Sequence, residues 1–65
     1  MLIRLADGER ILLEGAARGW VRPVDATTYA TDLDVLLKLR LLREEEGQFR
    51  LTVLGKLVLK WSGDG

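Results

Sequence analysis

Sixty-five residues, 48% of them apolar, 31% charged and 6% aromatic, fit one small globular domain and exclude a two-domain enzyme with separate cofactor and substrate folds. Ten Lys and Arg against ten Asp and Glu leave the chain formally neutral, which removes the strong positive field of a dedicated nucleic-acid domain. Cysteine and histidine are both absent, so stability has to come from helix packing or from a second copy of the chain, without disulfide or conventional zinc staple.

From Gly8 to Trp20, apolar residues fall at Leu13, Ala16, Ala17 and Trp20, while Arg10, Glu14 and Arg18 recur at intervals of four on the other side. This i, i+3, i+4, i+7 pattern predicts an amphipathic helix, with Asp7 as its cap, a Glu14–Arg18 pair in the favourable order, and Gly19 as a left-handed stop. Pro23 disfavours helix at Arg22, so Val21 to Asp25 should begin extended, with Asp25 capping a short helix through Ala30. Thr31, three residues before Asp34, forms a weak capping box that opens a longer helix over 32–39. Leu33, Leu36 and Leu37 make its buried stripe, and Asp34 with Lys38 makes an outward i, i+4 pair.

After Leu39 the pattern changes to alternation. Leu41-Leu42-Arg43-Glu44 and Gln48-Phe49-Arg50-Leu51 flank a polar turn at Glu45-Glu46-Gly47, which predicts a β-hairpin with Leu42 and Phe49 facing the core. Thr52 is placed to cap a last helix, whose Leu54, Leu57, Val58 and Trp61 repeat at helical spacing. Gly55 inside that helix costs about 1 kcal/mol against alanine and points to close approach of another backbone. The expected organisation is one domain over 1–61 with a disordered tail over 62–65.

The order of helix, short helix, longer helix, two-strand hairpin and closing helix resembles the winged helix-turn-helix family. The resemblance is carried by Leu36-Leu37-Lys38-Leu39-Arg40-Leu41-Leu42, Glu45-Glu46-Gly47, Phe49-Arg50-Leu51-Thr52 and Gly55-Lys56, within residues 25–61. It implies a mainly α fold of three to four helices with a small two-stranded wing, similar to a reduced prokaryotic winged-helix domain. Two departures stand out. Arg40 occupies the recognition-helix exit, where the family usually has glycine, and the second helix is short. Asp32 and Asp34 also fall in the first turn of the helix that would enter a major groove, where carboxylates suit the helix dipole but repel phosphate.

Two functional readings follow. In the first, the chain is a DNA-binding transcriptional regulator, dimeric by the same resemblance, with Arg22, Thr27, Thr28, Thr31, Lys38, Arg43 and Arg50 facing double-stranded DNA. In the second it is a protein-protein interaction module, an inhibitor or adaptor of phage or mobile-element type, that keeps the winged scaffold without binding DNA. Trp20, Tyr29 and Trp61 are then its aromatic anchors for a partner or a second copy.

An enzyme is not expected. The one serine is Ser62, no glycine-rich phosphate loop follows a strand, and Glu44-Glu45-Glu46 reads as a hairpin turn instead of an acid–base pair or metal site. No catalytic residue, cofactor, metal or small-molecule substrate is assigned. Charges interrupt the chain before any apolar run longer than three residues, such as Ile11-Leu12-Leu13, so a cytoplasmic protein without signal peptide or membrane contact is expected.

Overall fold

Two helix ends built to the same plan organise the first half of the chain. The computed structural model describes residues 4–62; the expectations placed on Met1–Ile3 and Gly63–Gly65 lie outside the described residues. Helix α1 spans Asp7–Ala17. Its cap position is Ala6, not Asp7, and the Glu9 carboxylate reaches back to accept from the Ala6 N–H at 2.9 Å. The helix ends three residues before Trp20 because Gly19 adopts φ +106°. The Gly19 N–H then donates to the Ala16 carbonyl and the Trp20 N–H to the Gly15 carbonyl, at 3.0 and 3.1 Å. This is the Schellman arrangement.

Helix α2 spans Pro23–Thr28 and starts two residues before the expected Asp25 cap. Proline suits the first helical position, where its missing N–H is unneeded and its fixed φ is already helical. Tyr29, at φ −112° and ψ +38°, breaks the path and serves as the junction to α3, Ala30–Lys38. Thr31 therefore lies inside α3 and does not cap it. The exit of α3 repeats the Schellman arrangement: Arg40 N–H donates to Leu37 and Leu41 N–H to Leu36, at 3.1 and 3.0 Å. Here the left-handed position, φ +61°, is held by Arg40.

A side chain in that region costs about 1–2 kcal/mol, which glycine avoids. Arg40→Gly is accordingly expected to stabilise the fold by about 0.5–1 kcal/mol after glycine's greater unfolded entropy is deducted. A raised urea midpoint with unchanged slope is the expected readout; an unchanged or lowered midpoint contradicts it.

Strands β1, Leu42–Glu45, and β2, Gln48–Leu51, form an antiparallel two-stranded sheet closed by a two-residue turn. Glu46 and Gly47 both have positive φ, +54° and +77°, as a turn of type I′ requires. In this register Leu42 faces Leu51 and Glu44 faces Phe49, so Leu42 and Phe49 share the inward side as expected, and Leu51 joins them there.

Helix α4, Val53–Ser62, closes the fold. The Thr52 hydroxyl caps it, accepting from the Gly55 N–H at 2.9 Å and donating to the Arg40 carbonyl oxygen at 2.7 Å. Ser62, expected in the tail, is instead a buried residue of α4. Its hydroxyl donates to the Leu59 carbonyl, and its own carbonyl accepts from the Arg10 guanidinium at 3.2 Å.

The core comprises Leu12, Leu13, Ala16, Val21, Leu33, Leu36, Leu41, Leu42 and Val58. Helix α1 contacts α2, α3, β2 and α4, so two adjacent leucines, Leu12 and Leu13, both turn inward. Ala17 and Trp20, expected on the buried stripe, are exposed. The ensemble is mainly helical with a small hairpin, in a winged-helix-like arrangement.

Candidate functional site

The α2–α3 surface holds most of the residues assigned to DNA. Thr27, Thr28, Thr31 and Lys38 are all exposed along α2 and α3. Arg22 lies at the start of α2, with its Nε 3.0 Å from Asp25 Oδ2. That hydrogen bond, with the Coulombic attraction of the same carboxylate, holds the Arg22 guanidinium above its ordinary pKa. Lys38 Nζ is 3.0 Å from Asp34, the i, i+4 pair read from the sequence, whereas no Glu14–Arg18 ion pair forms among the described residues. Arg43 lies 2.9 Å from Glu45 on its own strand.

Exposed pairs of this kind contribute about 0–1 kcal/mol each, so a phosphate could displace them. Each would nevertheless leave a carboxylate on the same surface. From Arg22 to Arg50 five cationic side chains stand with six carboxylates, so this half of the chain carries no positive field.

Arg43 and Arg50 are cross-strand partners, on the side of the hairpin opposite Phe49. Arg50 has no ion-pair partner among the described residues, and it belongs to a different surface. An open groove of about 650 Å3 runs between the C-terminal end of α1, β2 and α4. Its apolar lining comes from Ala16, Ala17, Leu51 and Leu59, with Gly19 at the α1 end. Its charged lining comes from Arg50, Lys56 and Lys60. Among the described residues no acidic side chain lines it, and none of the three cations is in an ion pair. Lys56 and Lys60 stand four apart on α4; their meeting with Arg50 depends on the packing of α4 against β2, which their spacing does not reveal.

Helix α4 also presents the other main surface. Its expected inward stripe of Leu54, Leu57, Val58 and Trp61 is corrected by the structure: Gly55, Val58 and Ser62 are buried and Leu59 is half-buried. Val53, Leu54, Leu57 and Trp61 remain 75, 47, 40 and 37% exposed. The helix is rotated so that Gly55 lies against the Leu41 carbonyl, and the leucines next to it turn outward.

The three aromatic candidates separate. Tyr29 packs half-buried on the core, its ring against Gly8 of α1. Trp20, 54% exposed, follows the C-terminal end of α1. Trp61, 37% exposed, precedes Ser62, whose carbonyl accepts from the Arg10 guanidinium of α1.

Among the described residues no group of three acidic side chains is placed to hold a metal ion, and no helix is long and apolar enough to cross a membrane. Comparison of the chain with protein-family models, with curated proteins and with solved structures finds no match.

Proposed function

We propose that this chain is a small protein-interaction module on a winged-helix-like scaffold, working through the surface built by α1, β2 and α4. The observation that carries this reading is the distribution of charge. Arg22, Lys38 and Arg43 each pair with a carboxylate of their own element, whereas Arg50, Lys56 and Lys60 gather around an apolar groove with no ion-pair partner among the described residues. The exposed leucines and tryptophan of α4 add support, since contiguous apolar surface on a small domain marks contact with another protein.

The second reading, a DNA-binding regulator, draws support from the exposed Thr27, Thr28, Thr31 and Lys38 on the helix pair of the winged-helix-like arrangement. Fluorescence-anisotropy titration of labelled random duplex DNA, at low and near-physiological salt, separates the two. The protein-interaction reading predicts no saturable binding at either salt. A regulator would bind with a steep salt dependence, and Lys38→Ala with Arg43→Ala would reduce the slope of log K against log salt by about 1.8, for two lost phosphate contacts. That result would overturn the proposal.

A further inference from the structure

The charge and lining of the groove between α1, β2 and α4 specify its occupant more narrowly. We infer that it receives an acidic amphipathic helix of a partner protein, with an aliphatic side chain entering between Ala17 and Leu59 and carboxylates meeting Lys56, Lys60 and Arg50. This rests on the protein-interaction reading above.

Charge complementarity comes first: among the described residues, three cations without an ion-pair partner surround the groove and no carboxylate lines it. The spacing comes second. Lys56 and Lys60 stand one helical turn apart on α4, a rise of about 6 Å, which a second helix matches with acidic residues four apart. The lining comes third. Grooves for single-stranded nucleic acid pair their cations with aromatic rings on which bases stack, whereas this lining is wholly aliphatic between its charges and suits leucine or isoleucine.

The lysines also have a structural use, because the C-terminal end of α1 faces the groove and its last turn has no basic residue. Cations from α4 complement that end of the helix dipole. A role confined to the dipole predicts that Lys56→Gln and Lys60→Gln lower stability and leave peptide binding unchanged.

The test is a titration of the isotope-labelled protein with an alanine-based helical peptide of about fifteen residues, carrying a central leucine flanked by two glutamates four apart. Its counterpart with glutamine at both glutamate positions is the control, and amide chemical shifts are the readout. The expected result is saturable shifts at Ala17, Gly19, Arg50, Lys56 and Lys60 with the glutamate peptide. Weaker binding of the control is expected, as is a loss of affinity of about threefold for each of Lys56→Gln and Lys60→Gln.

Equal binding of the two peptides, unchanged affinity in both variants, or no saturable shift overturns the inference. Shifts confined to Leu54, Leu57 and Trp61 overturn the groove assignment while leaving a protein-binding α4. Tighter binding of a single-stranded oligonucleotide in the same groove overturns the protein partner itself.

Discussion

Replacing Gly55 by alanine is expected to destabilise the fold by about 2 kcal/mol, although inside a helix the same change usually gains about 1 kcal/mol. The added methyl would run into the Leu41 carbonyl oxygen and stand 2.8 Å from Leu51 Cδ1. The leucine tip can move, but the carbonyl cannot. That oxygen accepts from the Thr52 N–H at 3.2 Å and lies 3.1 Å from the Thr52 hydroxyl, which itself accepts from the Gly55 N–H. Moving α4 away from Leu41 would therefore strain its own cap. A chain of this length has about 3–10 kcal/mol of stability in total, so the loss should appear as a clear fall in urea midpoint. A neutral or stabilising alanine would show that α4 does not press on Leu41.

Truncating Leu36 to alanine is the other large effect, expected to cost about 3 kcal/mol. Leu36 is completely buried, on the face of α3 that meets α1 and β1, and its carbonyl holds the Leu41 N–H at the helix exit. Atoms removed there leave a cavity between elements that cannot close without moving the hairpin. Leu39→Ala, three residues on, should change stability by less than about 0.5 kcal/mol, because Leu39 is largely exposed. Similar losses at the two leucines, measured by chemical denaturation, would contradict the assigned phase of α3.

Features set by local backbone chemistry were legible from residue order. Gly19 and Gly47 adopt the positive φ their positions suggest, Thr52 caps α4, Asp34 pairs with Lys38, and Gly55 meets a neighbouring backbone. Features that depend on how elements sit against one another were not. The leucine spacing of α4 pointed to Leu54, Leu57 and Trp61 as its inner face, but contact with Leu41 requires the glycine side to turn inward. Hydrophobic periodicity finds the helix without weighing this steric preference for the smallest residue. In α1, Leu12 was missed because a helix covered on several sides buries a wider arc than one stripe.

The candidate surfaces follow the same division. The α2–α3 threonines could be named from the order of helices, and they are exposed there. Sequence spacing alone does not reveal that Arg50 belongs with Lys56 and Lys60, because that grouping arises from the packing of β2, α4 and the end of α1.

The most direct measurement is an amide chemical-shift map of the folded protein titrated with duplex DNA at low salt, where phosphate contacts are strongest. If the chain acts through the α1–β2–α4 surface toward proteins, the resonances of Thr27, Thr28, Thr31 and Lys38 stay in place as DNA is added. Saturable movement of those four, reversed by salt, would contradict the protein-interaction reading and make the α2–α3 face a DNA-binding surface.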